Sequence, residues 1–335
     1  MINPQISVVM PVYNREQYLK ESIESILNQT FTNFEFIIVD DQSTDSSWQI
    51  IQEYVKKDSR IVAIKNTGKK GCYSARNCGH RLARGKYIAV MDSDDISLPH
   101  RLQTQFDFME QNPDIGICGS WAKTFGDCDE IIKTLQNHAE IRDTNFFYCS
   151  MIHPSVLFRN TNTILYSEDR TSAQDYDLWS KTIDKLKFAN IPKVLLLYRV
   201  HEKQIGVANN TEQTNNTNDI RIRNLENIGI TLSKEEKTVY LEIVNENFNL
   251  EHRKKLFLAI KMLDNISTAG TAHGYKQLFQ NTICHFIRNT AEQSLQHKAT
   301  SLKLYFTIFR KWKIFKTPRA HLRYIYHCCR NLLHL

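Results

Sequence analysis

The sequence predicts an α/β fold in which a doubly wound, mostly parallel sheet carries helices on both faces. Short apolar runs alternate with amphipathic stretches, the joins between them are short, and the alternation occurs four times before about residue 110. The apolar runs suit buried strands and cover residues 6–10, 36–39, 61–64 and 87–91.

The stretches between these runs carry apolar side chains at helical spacing. In the first stretch Leu19, Ile23 and Ile26 fall on one face. Asn14 is the expected N-cap of that helix, with Gln17 three residues later. Further helices are predicted around residues 48–55, 74–84 and 99–109.

Beyond residue 115 the alternation becomes less regular. Strands are predicted over residues 115–118, 155–158 and 195–200, and a helix over 173–186. Residues 208–219 are polar without an apolar anchor, which is typical of a linker or surface loop. The predicted organisation is therefore a first domain over residues 1–207, a linker over 208–219 and a mainly helical region over 220–335.

The composition is that of a soluble globular protein, with 41% hydrophobic and 24% charged residues. No apolar run exceeds five residues, so neither a membrane-spanning helix nor a signal peptide is predicted, and a cytoplasmic location is expected. The eight cysteines show no Cys-x-x-Cys pair, which favours reduced thiols.

The net charge of +7 is concentrated at the carboxyl end. Residues 298–335 hold nine Lys or Arg and no Asp or Glu, which leaves 34 basic against 36 acidic side chains in the remainder. Leu302, Tyr305, Phe309 and Trp312 form an apolar stripe within this tail. A basic amphipathic tail of this kind suits an anionic membrane surface, and packing on the rest of the protein is the alternative. Nucleic acid is not an expected partner, because no recognised binding module is present.

An acidic stretch follows the fourth apolar run directly. Asp92, Asp94 and Asp95 lie within four positions of one another, so their charges repel unless something neutralises them. A divalent cation such as Mg²⁺ does so and keeps positions open for phosphate oxygens. The alternative is a turn that caps the helix expected near Pro99.

Polar residues also follow the first two strands. Tyr13 and Asn14 come after the first, and Asp40 and Asp41 end the second. In parallel sheets ligands bind at the carboxyl ends of the strands, so these residues and the acidic stretch are expected at one edge. Neither a Gly-x-Gly-x-x-Gly nor a Gly-Lys-Ser/Thr loop is present, which leaves metal and side chains to hold any phosphate.

Six short motifs occur in a fixed order along residues 5–205. They are Ser7-Val-Val-Met-Pro-Val-Tyr-Asn14, Val39-Asp-Asp41, Ala75-Arg-Asn-Cys-Gly79, Asp92-Ser-Asp-Asp95, Gln174-Asp-Tyr-Asp-Leu-Trp179 and Tyr198-Arg-Val-His201. Together they resemble the family 2 inverting glycosyltransferases of the GT-A fold. The chain also resembles bacterial enzymes that extend lipopolysaccharide or capsule saccharides.

The resemblance implies roles for individual residues. Pro11 and Tyr13 would hold the nucleotide base, Asp41 would accept a hydrogen bond from uracil, and Arg76 would lie near the base or diphosphate. Asp92 and Asp94 would contact the nucleotide sugar, and the metal would take Asp94, Asp95 and His201 as ligands. Asp175 would be the general base. The family commonly has Glu-Asp where this chain has Gln174-Asp175, and Asp177 is expected to point elsewhere on its helix.

Each of these residues also has an ordinary structural explanation. Asp175 suits the first turn of a helix, where the dipole stabilises a carboxylate by about 0.3–1 kcal/mol. His201 could be a surface histidine, Arg76 a solvated helix residue and Tyr13 a packing residue. The functional interpretation is favoured because all of them are expected at the same edge of the sheet.

The implied reaction is transfer of a sugar from a UDP-sugar to a hydroxyl of a saccharide or glycolipid acceptor, with inversion and with Mn²⁺ or Mg²⁺. The metal would stabilise the leaving diphosphate and one carboxylate would deprotonate the acceptor. The alternatives are a nucleotidyltransferase that makes a sugar nucleotide and a non-catalytic nucleotide- or saccharide-binding protein. Peripheral attachment to the cytoplasmic membrane through the tail would bring the enzyme to a lipid-carried acceptor.

Overall fold

The computed structural model describes residues 3–161, 163–201, 210–245 and 253–275. The predicted basic tail over 298–335 lies outside these residues. The chain divides into two compact units, one of residues 1–142 with 149–220 and the other of residues 143–148 with 221–335.

Four parallel strands form one half of the sheet in the first unit, as the alternation predicts. They are β1 (Ile6–Val12), β2 (Phe34–Asp40), β3 (Ile61–Lys65) and β4 (Tyr87–Val90). Their order is β3-β2-β1-β4, with Pro11 opposite Val39 and Val12 opposite Asp40. This register brings the residues that follow β1 and β2 to the same edge of the sheet.

The other half of the sheet is mixed. Its strands are β5 (Ile96–Ser97), β6 (Ile115–Gly126), β7 (Ile131–Ile132), β8 (Leu157–Arg159) and β9 (Lys187–Val200). The order continues β4-β8-β6-β9-β5, with β8 antiparallel to both of its neighbours and β9 parallel to β6. Strand β9 is much longer than the predicted residues 195–200, because it runs the length of β6. The predicted α/β class with a mostly parallel sheet is confirmed.

Helices cover both faces of this sheet. They are α1 (Leu19–Leu27), α2 (Ser47–Lys57), α3 (Cys72–Leu82), α4 (Arg101–Gln111), α5 (His138–Thr144) and α6 (Gln174–Thr182). Successive strand residues point to opposite faces, so Val8 and Met10 enter one apolar cluster and Val9 enters another. Residues of α1, α2 and α4 complete the first cluster, and residues of α3 and α6 complete the second. Burial on both faces explains why the strands read as continuous apolar runs.

Helix α3 lies unusually close to the sheet at Gly79. A Cβ atom at this position would lie 2.5 Å from Val9 Cγ1 and 3.2 Å from Val39 Cγ2. No side chain fits in that space, so the glycine permits the close contact between α3 and strands β1 and β2.

The prediction of Asn14 as a helix N-cap is wrong. Asn14 has a positive φ of 49° and α1 begins five residues later, at Leu19. The Asn14 side chain instead accepts a hydrogen bond from the backbone amide of Thr44 at 2.8 Å. Its carboxamide therefore joins the loop after β1 to the loop after β2.

The prediction of a linker or surface loop over residues 208–219 is also wrong where the chain is described, because helix α7 spans Asn210–Asn227. Side chains of this helix form hydrogen bonds with the loop that precedes α6. Thr171 donates a hydrogen bond to Glu212, and Asn216 Nδ2 donates to Ser172 Oγ at 2.8 Å. Tertiary contacts of this kind override weak local helix propensity.

The second unit is mainly helical over its described length, which confirms the prediction for this region. Besides the last part of α7 it contains α8 (Lys234–Val244) and α9 (Arg253–Ala272). Ser233 and Glu236 form a capping box that starts α8. Tyr240 Oη donates a hydrogen bond to the carbonyl of Phe146 at 2.5 Å within the same unit.

None of the helices in the described ranges has both the length and the apolar content needed to cross a membrane. The five cysteines in those ranges, Cys72, Cys78, Cys118, Cys128 and Cys149, are free thiols.

Candidate functional site

A cleft of about 770 Å³ opens at the carboxyl ends of β1, β2 and β4 in the first unit. Seven of the nine residues predicted to form the site line it: Pro11, Tyr13, Asp41, Arg76, Asp92, Asp94 and Asp175. Asp95 and His201 are not lining residues, although Asp95 follows Asp94 in the acidic loop and His201 contacts the Asp94 side chain. The predicted convergence of the strand ends is therefore confirmed.

Basic side chains balance two carboxylates of the acidic loop. Asp92 is paired with Arg76, which is buried on α3. Asp94 Oδ2 lies 3.3 Å from Arg15 Nε and 3.2 Å from His201 Nε2. These contacts offset the repulsion between the carboxylates.

Asp95, the last residue of this loop, is almost completely buried. Its Oδ1 accepts a hydrogen bond from the backbone amide of Arg199 at 2.9 Å, and its Oδ2 has no hydrogen-bond partner among the described residues. Burial raises the pKa of Asp95 well above its usual value, and the charges of Asp92 and Asp94 raise it further. An ionised Asp95 is therefore costly unless a cation lies close to it.

Two residues at the ends of β1 and β2 form another part of the cleft. Asp41 accepts hydrogen bonds from Asn66 Nδ2 at 2.7 Å and from the Gly71 amide at 2.8 Å. The Tyr13 side chain is 41% exposed, so its ring is accessible for stacking. The ammonium of Lys70 lies 4.0 Å from the centroid of that ring.

Arg76 is held rigidly in its position. Its guanidinium lies 5.2 Å from the ring centroid of Tyr73 and 5.6 Å from that of Tyr166. Burial lowers the pKa of Arg76, but the charges of Cys72 and Asp92 outweigh this effect and raise its pKa above the usual value. Arg76 is thus a fixed cation in the cleft and not the solvated helix residue of the alternative interpretation.

Asp175 lies in the first turn of α6 and is partly exposed within the cleft. Burial raises its pKa, while backbone amides of the turn and Arg76 oppose the rise. No ion pair joins Asp175 to a described residue. A carboxylate with a raised pKa is better suited to accept a proton than an ordinary aspartate.

Asp177 occupies a different environment, as predicted. It is buried and forms ion pairs with Lys181 and Arg170. Gln174, which stands where the family commonly has Glu, is also buried and donates a hydrogen bond to the carbonyl of Arg170. Asp175 is therefore the carboxylate of this helix that faces the cleft.

The residues predicted as metal ligands provide a small donor set. Within the described ranges no group of three or more His, Cys, Asp or Glu side chains is arranged to hold a metal by itself. Asp94 Oδ2 and His201 Nε2 are adjacent, and the unpartnered Asp95 Oδ2 is a further oxygen donor. Mg²⁺ and Mn²⁺ commonly take few protein ligands and complete their coordination with substrate phosphates, so the donors present fit such an ion.

Sequence reasoning assigned no role to several residues that line the cleft: Arg15, Lys70, Cys72, Tyr73, His153 and Tyr198. Lys70 lies in the stretch Gly68-Lys-Lys-Gly71, which matches no recognised phosphate-binding loop. His153 lies in a single 3₁₀ turn, His153–Ser155, between elements that carry no motif, so no local pattern pointed to it.

Comparison with known proteins identifies the class. Residues 7–169 match the family described as Glycosyl transferase family 2. An uncharacterized glycosyltransferase of Methanocaldococcus jannaschii is 42% identical over 209 residues, which are 60% of this chain and 72% of the relative. The UDP-Glc:alpha-D-GlcNAc-diphosphoundecaprenol beta-1,3-glucosyltransferase WfaP of Escherichia coli is 34% identical over 204 residues, with 60% and 79% covered.

Solved structures share the fold at low sequence identity. S. aureus TarS 1–349 in complex with UDP-GlcNAc superposes with a TM-score of 0.60 at 17% identity, covering 88% of this chain and 87% of that TarS chain. The mannosyltransferase PcManGT from Pyrobaculum calidifontis, in complex with GDP-Man and Mn²⁺, gives a TM-score of 0.52 at 14% identity. The superposition covers 100% of this chain and 88% of the PcManGT chain. This chain has the GT-A fold, belongs to glycosyl transferase family 2 and is a glycosyltransferase.

Proposed function

We propose that the protein transfers a hexose or N-acetylhexosamine from a UDP-sugar to a hydroxyl of a saccharide acceptor, with inversion. The observation that carries this proposal is the single cleft in which Asp92 and Asp94 lie with Tyr13, Asp41 and Asp175. A volume of about 770 Å³ is in the range of pockets that hold nucleotide-sized ligands.

The donor nucleotide matches the chemistry of one group of residues. The exposed Tyr13 ring offers a stacking face for the base next to Pro11, and Asp41 is a fixed hydrogen-bond acceptor for uracil. Arg15, Lys70 and Arg76 line the same cleft and supply positive charge for a diphosphate. Asp92, held by Arg76, and Asp94 would contact the nucleotide sugar.

Asp175 is the proposed general base. Asp92 and Asp94 are already engaged by Arg76 and by Arg15 and His201, whereas Asp175 makes no ion pair with a described residue. One carboxylate that deprotonates the acceptor hydroxyl while the diphosphate leaves gives one displacement at the anomeric carbon. A single displacement inverts the configuration.

A divalent cation is the proposed cofactor, with Asp94, Asp95 and His201 as its ligands. Such an ion supplies a Lewis acid for the departing diphosphate. The unpartnered Asp95 oxygen supports this assignment, because a buried anionic oxygen without a partner is destabilising. The remaining acidic-loop residue, Asp92, is engaged by Arg76.

The proposed acceptor is a lipid-linked saccharide of the lipopolysaccharide or capsule type. The name of the E. coli relative specifies a diphosphoundecaprenol-linked acceptor, which supports this class. An acceptor of that kind would be met at the cytoplasmic membrane, where the basic residues 298–335 would bind anionic lipid.

The experiment that tests the proposed function measures UDP release from a panel of UDP-sugars with Mn²⁺, using the full chain. We expect one or a few donors to be hydrolysed slowly, and EDTA to stop the reaction. Isothermal titration with UDP accompanies the assay. UDP binding without release from any donor or to any saccharide acceptor would indicate a non-catalytic binding protein and overturn the proposal.

A further inference from the structure

His153 is built into the wall of the cleft as a rigid, uncharged hydrogen-bonding group. It lies in the 3₁₀ turn His153–Ser155, is 8% exposed and lines the cleft. Its Nε2 lies 2.8 Å from Tyr166 Oη. The rings of Trp179 and Tyr73 flank it, with centroids 6.0 and 6.3 Å from its own.

The partner of His153 is itself fixed. The Tyr166 amide donates to Asn77 Oδ1 at 2.9 Å, and the Tyr166 carbonyl accepts from Asn77 Nδ2 at 2.9 Å. Asn77 is buried on α3, one residue after Arg76. The Tyr166 hydroxyl therefore holds the imidazole in a single orientation relative to the helix that carries Arg76.

The imidazole is neutral at physiological pH. Burial lowers the pKa of His153 well below its usual value, and the charge of Arg76 lowers it further. A neutral imidazole has one donor and one acceptor nitrogen. Its Nε2 is used by Tyr166, and its Nδ1 makes no hydrogen bond to any described residue.

We propose that Nδ1 of His153 binds one hydroxyl of the sugar being transferred, and that this contact determines which UDP-sugar the enzyme accepts. The inference rests on the proposed function and extends it to the sugar subsite. Phosphate groups are matched by the cations of the cleft, whereas a fixed neutral nitrogen matches a hydroxyl group.

The neighbours of His153 suit a pyranose ring. Met151, Ile152 and Pro154 line the cleft beside it and provide apolar surface for C–H groups. Tyr166 and Asn77 connect His153 to the helix that carries Arg76, the partner of Asp92, and this connection to the donor-binding residues supports a contact with the donor sugar.

The test combines variants of the protein with variants of the donor. The wild-type enzyme and His153→Phe are compared on the preferred UDP-sugar and on analogues that lack one hydroxyl at a time. For the wild type we expect the loss of one particular hydroxyl to lower kcat/KM about 10- to 100-fold, because Nδ1 of His153 is then left without a hydrogen-bond partner. In His153→Phe the penalty for that hydroxyl should disappear, while the penalties for the others remain.

Two measurements separate this contact from a general structural effect. UDP affinity, measured by titration, should be the same in His153→Phe as in the wild type, because UDP lacks the sugar. His153→Gln, which keeps a side-chain hydrogen-bonding group, should restore part of the discrimination and covers the case in which the Phe variant does not fold.

The outcomes also separate this inference from the proposed function. If the wild type turns over no UDP-sugar, the proposed function fails. If the wild type is active but both folded variants keep its full pattern of deoxy-sugar penalties, only the role of His153 is overturned. Equal weakening of UDP and UDP-sugar binding would overturn that role as well.

Discussion

Arg199 fixes the buried Asp95 by donating hydrogen bonds both to its carboxylate and to the carbonyl of the preceding residue. The Arg199 amide donates to Asp95 Oδ1 at 2.9 Å, and the Arg199 guanidinium donates to the Asp94 carbonyl at 2.7 Å. That guanidinium also lies 4.5 Å from the ring centroid of Tyr18. The end of β9 is thereby joined to the acidic loop, and His201, two residues further on, lies beside Asp94.

In this arrangement an ionised Asp95 destabilises the folded state when no cation is present. We expect Asp95→Asn to raise the melting temperature in EDTA at pH 7.5, with a gain of about 1 kcal/mol or more in the free energy of unfolding. The asparagine keeps an oxygen for the Arg199 amide and removes the buried charge. Thermal melts also test the metal assignment, because stabilisation by added Mn²⁺ and UDP should be smaller in this variant.

The sign of the pH dependence follows from the raised pKa of Asp95 in the folded state. The penalty for ionisation is full above that pKa and disappears as the pH falls below the unfolded value, so the gain in Asp95→Asn should vanish in acid. Asp58→Asn is the matched control. Arg60 lowers the pKa of Asp58, so this variant should lose stability at neutral pH. A gain in both variants would contradict the argument.

Replacing the proposed base should stop transfer without affecting donor binding. We expect Asp175→Asn to lower kcat by about 10²–10⁴-fold, the usual contribution of a general base, with an unchanged dissociation constant for UDP. Asp177→Asn is the control from the same helix. It should lower the melting temperature, because Lys181 and Arg170 lose their partner, but keep most of the activity of the folded enzyme. Full turnover by Asp175→Asn would remove the base assignment.

The dependence of activity on pH should reflect the raised pKa of Asp175. Its pKa is raised above the usual 3.8, and only the ionised form accepts a proton. Activity at saturating Mn²⁺ and donor should therefore fall as the pH decreases through a value above that of an ordinary aspartate. The Asp175→Glu variant should keep this fall in activity at low pH, which is the acidic limb of the profile. Any residual activity of Asp175→Asn should lack it. A limb at or below pH 3.8 in the wild type would contradict this prediction.

Lys70 covers the ring on which the base is proposed to stack. Its ammonium lies over the Tyr13 ring, and we expect it to leave the ring when a nucleotide binds and to become available to the diphosphate. We expect Lys70→Met to bind uridine about threefold more tightly, since a cation–π contact of about 0.5–1 kcal/mol no longer competes. The same variant should bind UDP about tenfold more weakly, because it lacks a charge for the diphosphate.

Lys69→Met is the control for this pair of titrations. The Lys69 ammonium bonds to the Glu168 carbonyl, and Lys69 is not among the residues that line the cleft. Both ligands should bind it as they bind the wild type. Weaker binding of uridine to Lys70→Met would show that the ammonium supports the base instead of competing with it.

The parts of the structure that could be predicted are those that depend on local pattern. Continuous apolar runs predicted four parallel strands, and the residues that follow β1, β2 and β4 were expected at one edge. Tyr13, Asp41 and Asp92 were located correctly in this way. The topology itself brings such residues together, so no distance information was required.

The remaining features depend on contacts between distant parts of the chain. Asn14 has the composition of an N-cap, but its carboxamide is used by the Thr44 amide, 30 residues away. The polar residues of α7 form a helix that contacts Ser172 through Asn216. His153 belongs to the cleft because of Tyr166 and Asn77. None of these partners is visible in a local sequence window.

Gly79 limits how the specificity of this enzyme can be altered. Because α3 packs against Val9 and Val39 at this residue with no room for a side chain, we expect a shift of the helix to disturb the strands beneath it. Arg76 and Asn77, three and two residues before Gly79 on the same helix, share this close packing. Attempts to engineer acceptance of a different donor should accordingly vary the separate 150–154 segment and leave this helix intact.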